Sequence, residues 1–367
     1  MGGEDVRRSY RLLIINPGST STKIALYDNE KPIFNDVVRH SSQEISSYKN
    51  IMDQLSFRKE LILKALDDKG FNNTKLSAIV GRGGLLKPLQ GGTYRVNEVM
   101  IEDLTKAERG QHASNLGGIL AYSIAKQVNI PAYIVDPPVV DEVEEIAKIT
   151  GLEGIEKQIF FHALNQKAIA RKTAKEIGKP YEEAKLIVAH IGGGISVGVH
   201  SNGRVIDVNN ALDGDGPLSP ERTGSLPVGQ LIDLCFSGRY TLQELKKMIV
   251  GKGGLVSYLG TNDCSKVSEM IAHGDERAEL IYKAMAYQVA KEIGAAAAVL
   301  RGEVDAIAIT GGVAYDVQFV NWIKAHVEFL GPVSVYPGED EMLALAEGGL
   351  RVLRGEEEAL DYGKGNR

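Results

Sequence analysis

The amino-acid sequence predicts an α/β protein in which one strand–turn–strand unit occurs twice. The apolar strand patterns at 12–16, 186–190 and 304–312 each end in a glycine turn, which is typical of buried strands. The first two are followed by the same order of strand, turn and strand. Segments with the apolar spacing of amphipathic helices come after the strands. Ligands of such sheets bind where the strands end, so the glycine turns are candidate binding segments.

The first copy of the unit begins with LLIIN and ends its first strand at Pro17-Gly18. The elements predicted in the first half of the chain are strands at 12–16, 23–28 and 33–39, a helix at 51–69, a strand and loop at 76–84, a helix at 115–127 and a strand at 132–136.

The second copy begins with LIVAH, and its last two strands are joined by Asn202-Gly203, a typical hairpin turn. An offset of 174 residues places Asn16 on His190 and Asn29 on Gly203 without a gap. The elements predicted in the second half are strands at 186–190, 195–201 and 204–210, a helix at 276–300, a strand at 304–312, a helix at 315–328, a strand at 333–336 and a helix at 340–354.

This duplication predicts two domains that face each other across a cleft. We place the first domain at 1–155 with the C-terminal segment 343–367, and the second, nucleotide-binding domain at 156–342.

Composition argues against several classes of protein. The chain has 367 residues and a net charge of −6 without a lysine- and arginine-dense patch, which argues against nucleic acid as a partner. Its two cysteines, Cys235 and Cys264, form no CxxC pair and fit a reducing compartment. Residues 1–11 lack the apolar core of a signal peptide, and no apolar run reaches about 18 residues. We therefore expect a cytoplasmic protein without a membrane span.

Three glycine turns, at 16–22, 190–196 and 310–313, carry the predicted phosphate chemistry. Glycine lets backbone N–H groups approach phosphate oxygens, and the hydroxyls and lysine of the first turn add donors. The chain has neither a GxxxxGK[ST] segment nor G-x-G-x-x-G in these turns. The predicted nucleotide-binding residues are Gly18, Ser19, Thr20, Ser21, Lys23, Gly192, Gly193, Gly194, Gly311 and Gly312.

These segments resemble a known superfamily. NPGSTSTKIALY, HIGGGISVGVHSNGRVIDVNN and ITGGVAYD are similar to the phosphate-1, phosphate-2 and adenosine motifs of the acetate and sugar kinases, heat-shock chaperones and actin. VGRGG, HASN, VDPPVVDE, FHALNQKAIAR, GPLSPERTG and YPGEDEMLALAEG are similar to the acetokinase family, and among its members most to butyrate kinase. Acetate kinases usually read HLGNG where this chain has HIGGG, a departure that argues against acetate as the preferred acid.

The resemblance implies a duplicated actin-like (ribonuclease H-like) ATPase fold around a nucleotide cleft. It implies reversible, direct in-line transfer of the γ-phosphoryl group of ATP to a short-chain fatty acid, butyrate or a branched relative. ATP/ADP and Mg²⁺ are the implied cofactors, and a homo-oligomer, a dimer or larger, is the implied assembly.

The resemblance also implies the catalytic residues. Two anions must be gathered for this reaction, and Arg82 and Arg222 match the family arginines, whose planar guanidinium suits carboxylate and phosphate. His162 and His190 match histidines near the phosphoryl path. Asp136 follows a strand and is predicted to orient a reacting group or a metal-bound water.

Mg²⁺ prefers oxygen ligands and keeps several waters. The resemblance to the acetokinase family implies that Asn16 lies near the phosphates and that an acidic residue of the YPGEDE segment lies near the metal. We favour Glu341, while Asp340 stays open. Asp213-Gly214-Asp215-Gly216 lacks the spacing of a calcium loop and is predicted to be a turn.

Three alternatives compete with a butyrate kinase. One is an acetate or propionate kinase of the same family. Another is a sugar kinase of the same fold, which needs an aspartate base for its hydroxyl, and Asp136 is the one candidate for it. The last is an actin-like or chaperone ATPase, which carries an added peptide-binding domain or filament surfaces.

Overall fold

The structure is a computed structural model, and it describes residues 9–71 and 74–363. Residues 1–8 and 364–367, at the two ends of the first predicted domain, lie outside the described residues. The strands are β1 Arg11–Pro17, β2 Ser21–Asp28, β3 Lys31–Arg39, β4 Ala78–Arg82, β5 Thr93–Arg95, β6 Ala132–Val135, β7 Leu186–Ile191, β8 Ile195–Ser201, β9 Arg204–Val208, β10 Ala306–Gly311, β11 Val333–Pro337 and β12 Leu360–Asp361.

Most helices begin at a polar residue whose side chain accepts a hydrogen bond from a backbone N–H of the first turn, the usual N-cap. The helices are α1 Ser42–Ser46, α2 Leu55–Asp68, α3 Glu98–Lys106, α4 Asn115–Ala125, α5 Glu145–Lys148, α6 Ala163–Glu176, α7 Val228–Cys235, α8 Leu242–Ile249, α9 Gly254–Leu259, α10 Cys264–Ala272, α11 Glu276–Val299, α12 Val317–Val327 and α13 Glu341–Arg354.

The predicted helices at 51–69, 115–127, 276–300, 315–328 and 340–354 are confirmed as α2, α4, α11, α12 and α13, with bounds that differ by a few residues. Helices α1, α3 and α5 to α10 and strands β5 and β12 are not among the predicted elements. Helices α7 to α10 are short and bury few side chains, Leu245, Leu255 and Val267 among them, so their apolar stripes extend over too few turns to mark a core helix in a sequence.

The chain forms two compact units. The first comprises the described residues of Met1–Val140 and Asp340–Arg367, and the second comprises Asp141–Glu339. The predicted domain limits near 155 and 343 stay a prediction.

The first unit contains a seven-stranded sheet in the order β12-β5-β6-β4-β1-β2-β3. Strands β1, β4 and β6 are parallel neighbours, and β2 and β3 extend the sheet as antiparallel strands. The apolar run of β1 is buried, because helices α4 and α13 pack on the sheet. The carboxyl ends of β1, β4 and β6 meet at one edge, which brings their following residues together.

The second unit contains a five-stranded sheet in the order β11-β10-β7-β8-β9. Strands β7, β10 and β11 are parallel, and all six residues of β7 and of β10 are buried. The long helix α11 covers this sheet with a buried face that includes Met285, Val289 and Ile293, as its apolar spacing predicts. Thr310 of β10 lies beside His190 of β7, so the second and third glycine turns leave the same edge.

The gapless repeat with an offset of 174 is wrong by one residue. Four residues separate the paired Pro17 and Thr22 of the first hairpin, whereas three separate Ile191 and Ile195 of the second. The second glycine turn is therefore one residue shorter. Asn29, in the left-handed conformation, corresponds to Asn202, which has the same conformation, and not to Gly203. The order of strands is confirmed, since turns change length more easily than buried strands.

No helix within the described ranges is long and apolar enough to cross a membrane.

Candidate active site

The first unit brings together three predicted site residues where two parallel strands and a helix meet. Ile15 lies opposite Gly81, so Asn16 and Arg82 follow at the same edge of β1 and β4. The side-chain N–H of Asn16 donates to Glu341 Oε2 at 2.8 Å, and Arg82 Nη2 lies 3.5 Å from Glu341 Oε1. The carboxylate at the start of α13 thus joins the ends of two strands.

Arg82 has hydrogen-bonding capacity left over. Its Nη1 is buried and has no hydrogen-bond partner among the described residues, while its side chain is 16% exposed. A buried N–H group without a partner costs free energy that an anionic oxygen would recover. The guanidinium is therefore suited to receive an oxygen of a ligand.

The two acids at the start of α13 have different surroundings. Asp340 is the N-cap, and its Oδ1 accepts the Leu343 N–H at 2.9 Å. Glu341 instead contacts Asn16 and Arg82. Asp340 therefore caps the helix, whereas Glu341 binds side chains at the ends of two strands.

Asp136 follows β6 and holds a neighbouring loop. It is 1% exposed and has a left-handed backbone with φ of 37°, which is uncommon for a residue other than glycine. Its Oδ1 accepts the Gly92 N–H at 2.7 Å, and its own N–H donates to the Gly92 carbonyl at 3.0 Å. This geometry favours a positioning role for Asp136.

The first glycine turn rests on a buried arginine that sequence reasoning missed. Arg58 of α2 is fully buried, and its Nη1 donates to the Gly18 carbonyl at 2.9 Å and to Thr22 Oγ1 at 3.0 Å. Nη1 and Nη2 also reach the carbonyls of Ser21 and Ser19. In sequence Arg58 is one cation among the charged residues of an amphipathic helix, and nothing local marks it.

Arg58 also brings a positive charge to the turn. Every hydrogen bond described for it ends on a neutral oxygen, the remaining ones on Gln54 Oε1. Burial lowers the pKa of Arg58 to about 10, so the group stays charged at neutral pH. In a trans peptide the N–H points away from the preceding carbonyl, so the N–H groups of Ser19 and Thr20 point away from Arg58. Both residues are exposed, so these donors are open to a ligand.

Lys23 of the same hairpin pairs with Asn16 across the β1–β2 ladder, and it is exposed. Directly paired residues share a face of the sheet, so Lys23 adds a cation to the face that carries Asn16.

The second unit stacks two predicted histidines on each other. The rings of His162 and His190 lie 3.8 Å apart at an interplanar angle of 16°. His162 precedes α6, and His190 is the next-to-last residue of the buried strand β7. His190 Nδ1 lies 2.8 Å from Asn165 Oδ1, and His190 Nε2 lies 3.8 Å from Glu339 Oε2.

The second glycine turn is crossed by Arg222. A Cβ atom on Gly194 would lie 1.7 Å from Arg222 Nη1, so only glycine leaves room for this guanidinium. Arg222 Nη1 donates to the Ala211 carbonyl at 2.5 Å, and Ser219 Oγ donates to the Gly193 carbonyl at 2.7 Å. Position 194 thus requires glycine because any side chain there would clash with the Arg222 guanidinium.

Arg222, like Arg82, has unused hydrogen-bonding capacity. Its Nε is buried without a hydrogen-bond partner in the described part of the chain, as is Nη1 of Arg82. Burial lowers the pKa of Arg222, and the charge of Glu221 partly offsets this effect. An anion at Nε would satisfy the hydrogen bond and the charge together.

The third glycine turn is braced by the segment after β11. Gly311 and Gly338 exchange two backbone hydrogen bonds of 3.1 and 2.9 Å, and Thr310 Oγ1 donates to the Gly338 carbonyl at 3.0 Å. Gly311 has φ of 94°, and a Cβ atom there would lie 2.3 Å from the Ile191 carbonyl oxygen. Gly312, which follows, has open space beside it.

The donor set fits Mg²⁺ held largely by phosphate. The described residues contain no group of three or more His, Cys, Asp or Glu side chains that could hold a metal ion. Glu341 and the side-chain oxygen of Asn16 are hard oxygen donors next to each other. Mg²⁺ in phosphoryl-transfer sites is often bound by one or two carboxylates, substrate phosphates and waters, and this pair can supply the protein's share.

A model of the acetokinase family matches residues 133–345, more than half of the chain. The chain belongs to the acetokinase family. Members of this family are phosphotransferases that use ATP and have a carboxyl group as acceptor. The matched range includes Asp136, His162, His190, Arg222 and Glu341.

Solved structures of acetokinases share the fold. Acetate kinase of Porphyromonas gingivalis is 20% identical, with a TM-score of 0.77 over 94% of this chain and 100% of that chain. A propionate kinase from Francisella tularensis subsp. tularensis SCHU S4 is 18% identical, with a TM-score of 0.72 over 92% and 98%. Acetate kinase of Entamoeba histolytica is 16% identical, with a TM-score of 0.76 over 94% and 100%. The duplicated actin-like ATPase fold predicted from the sequence is confirmed.

The roles of the individual acetokinase residues stay predictions, and so do the oligomeric state and the cytoplasmic location. Asn16 and Arg82 lie outside the range that the family model matches.

Proposed function

We propose that this acetokinase is of the butyrate kinase type and transfers the γ-phosphoryl group of ATP to butyrate or a branched relative. The observation that carries the proposal is the pair of arginines, each with a buried guanidinium N–H group that lacks a partner in the described residues. One ends a strand beside an acid, and the other crosses a glycine turn. The reaction needs cations for two kinds of anion, a carboxylate and a phosphoryl group.

The acceptor is already a nucleophile. A carboxylate oxygen attacks the γ-phosphorus, the bond from that phosphorus to the bridging oxygen breaks, and ADP leaves with the electron pair. No proton has to be removed, since a fatty acid is ionised at neutral pH. The aspartate base of a hydroxyl kinase is therefore unnecessary, in keeping with the hydrogen bonds of Asp136 to Gly92.

Each predicted site residue then has its own role in the reaction. Arg82 holds the acid carboxylate, while Arg222 stabilises the equatorial oxygens of the phosphoryl group during transfer. His162 and His190 lie near the path of the phosphoryl group, where His162 donates to the same oxygens. The three glycine turns bind the nucleotide, and Glu341 with Asn16 holds Mg²⁺.

Bound Mg²⁺ neutralises phosphate charge, so activity should require it. The N-cap role of Asp340 supports Glu341 as the metal-site acid.

Two features support an acid longer than acetate. Gly193 stands where acetate kinases carry the asparagine of HLGNG, which removes a polar side chain from this turn. Val140, which follows the Asp-Pro-Pro turn, is fully buried and Val139 is partly buried, which suits them as apolar walls.

A hydroxamate assay for acyl phosphate over acetate, propionate, butyrate and isobutyrate tests the proposal. A methylene in an apolar pocket changes kcat/KM about 10–200-fold, so butyrate or isobutyrate should exceed acetate by at least tenfold. A higher kcat/KM for acetate or propionate would make the protein an acetate or propionate kinase. Acyl phosphate from none of the four acids would reject the short-chain acid substrate.

A further inference from the structure

A chain of buried side chains in the second unit leads to His162. Tyr181 Oη lies 2.9 Å from His200 Nδ1, and His200 Nε2 lies 2.9 Å from Gln166 Oε1. Gln166 Nε2 lies 3.1 Å from Ser196 Oγ, which is 2.9 Å from His162 Nδ1. Gln166, Ser196 and His200 are fully buried. We name these four side chains, Tyr181, His200, Gln166 and Ser196, the relay.

The direction of each hydrogen bond in the relay follows from Gln166. Its side-chain nitrogen donates to the carbonyls of Val188 at 3.1 Å and Ser196 at 3.0 Å, which fixes the orientation of the amide. Its Oε1 is then an acceptor, so His200 Nε2 carries a hydrogen. Burial, with the charges of Lys167 and Arg171, holds the pKa of His200 well below its usual range, so the ring is neutral. His200 Nδ1 accordingly accepts from Tyr181.

The same logic sets the tautomer of His162. Ser196 Oγ lies next to Gln166 Nε2, which cannot accept a hydrogen bond, so the hydroxyl hydrogen of this fully buried side chain needs another acceptor. The acceptor described for it is His162 Nδ1. A neutral His162 therefore carries its hydrogen on Nε2, and this nitrogen is a donor.

The stacked partner has the opposite arrangement. His190 Nδ1 faces the acceptor oxygen of Asn165, so its hydrogen is on Nδ1, and Nε2 of a neutral ring is an acceptor. Two protonated rings 3.8 Å apart would repel each other. The relay therefore makes Nε2 of a neutral His162 a donor, whereas Asn165 makes Nε2 of a neutral His190 an acceptor.

We propose that the relay positions His162 as the Nε2–H tautomer, so that it donates a hydrogen bond to an oxygen of the transferred phosphoryl group. This rests on the proposed function. The four relay residues act through His162, so they are positioning residues. An apolar core would fill the same space without the cost of burying the four polar side chains of the relay, and their hydrogen bonding to one another argues for a specific tautomer.

The test combines a tautomer measurement with kinetics. The full chain is labelled with ¹⁵N-histidine, and long-range ¹H–¹⁵N spectra, assigned with His162→Gln, report which ring nitrogen of His162 carries the hydrogen. We expect Nε2–H in the wild type and a mixture of both tautomers in Ser196→Ala. The kcat for acyl phosphate formation should fall about tenfold, the effect of one hydrogen bond, with an unchanged KM for ATP.

Thr173→Val is the matched control. Thr173 is a fully buried hydroxyl of the same unit that bonds to the Ile169 carbonyl of its own helix, so its loss should lower stability without altering the His162 tautomer or kcat. Tyr181→Phe, which keeps the ring and removes the far oxygen, covers the case in which Ser196→Ala does not fold. It should lower kcat about two- to fivefold.

Three results would overturn the proposal. They are an Nδ1–H tautomer in the wild type, an unchanged tautomer in a folded Ser196→Ala variant, and an unchanged kcat in both relay variants. The tautomer is measured without substrate. A wild type that phosphorylates no carboxylate would therefore reject the proposed function and leave the tautomer assignment standing.

Discussion

The first and second glycine turns share a hairpin frame but receive their positive charge from different places. In the first turn Arg58 lies behind the backbone, binds its carbonyls and is satisfied by neutral oxygens. In the second turn Arg222 lies across Gly194 and keeps Nε without a partner in the described residues. The first arginine thus shapes and charges a turn, whereas the second offers its own N–H group to a ligand. A repeated backbone does not require a repeated chemistry.

The largest expected effects on kinetics are those of substituting Arg82 in the first unit and Arg222 in the second. Arg222→Lys keeps the charge and loses the planar fork, so kcat should fall about 10²–10³-fold with little change in ATP binding. Arg82→Lys should instead raise the KM for the acid about 10–100-fold, the size expected for a charged hydrogen bond. The exposed Arg239→Lys is the control. Near-wild-type kcat/KM in both Arg82→Lys and Arg222→Lys would remove both guanidinium groups from the transfer step.

The second glycine turn can be tested by substituting a glycine and leaving every arginine in place. Gly194→Ala would push its methyl group into the Arg222 guanidinium, so kcat should fall about 10–100-fold, and overpacking should lower the unfolding free energy by about 1–3 kcal/mol. In Gly193→Ala the Cβ meets its nearest neighbour, Glu221 Oε1, at an ordinary 3.4 Å, so we expect an unfolding free energy near the wild-type value and a smaller fall in kcat than in Gly194→Ala. Equal losses in the two variants would mean that the turn needs glycine for its backbone and not for Arg222.

The first turn can be tested through its charge. If Arg58 acts as the counter-charge of a phosphate on the N–H face of the turn, Arg58→Met should weaken ADP binding about tenfold, and Arg58→Lys should retain most of it. Calorimetry gives the two Kd values, and Arg11→Met is the control, since Arg11 is on the same hairpin but is paired with Asp28. Equal losses for Arg58→Met and Arg58→Lys would indicate that the hydrogen bonds to the turn matter and the charge does not.

The smallest effect concerns the metal. Glu341→Ala should raise the Mg²⁺ concentration for half-maximal activity several-fold, because one carboxylate oxygen ligand is lost while phosphates and waters remain. Asp340→Ala should lower the unfolding free energy by about 0.5–2 kcal/mol through loss of the N-cap and leave the Mg²⁺ dependence unchanged. The reverse result in an activity titration would assign the metal site to Asp340.

Local patterns were enough to predict the repeated strand–turn–strand unit and five of the helices. Buried strands are marked by apolar runs, turns by glycine, asparagine and proline, and core helices by their apolar spacing. The same patterns failed by one residue at the second turn and did not reveal the short helices between Val228 and Ala272. The length of a turn and the presence of a short helix leave little trace in an apolar pattern.

The sequence by itself determined the α/β class, the repeated strand–turn–strand unit and, through its motifs, the acetokinase family with the positions of its arginines and histidines. Only the tertiary structure decided what those residues contact. Arg58 reaches a turn 36 residues earlier in the chain, Asn16 meets Glu341 from 325 residues away, and the relay joins a helix to a strand and a loop. The physical reason is that a hydrogen bond depends on a separation of about 3 Å in space, and for residues far apart in the chain that separation is set by how strands and helices pack.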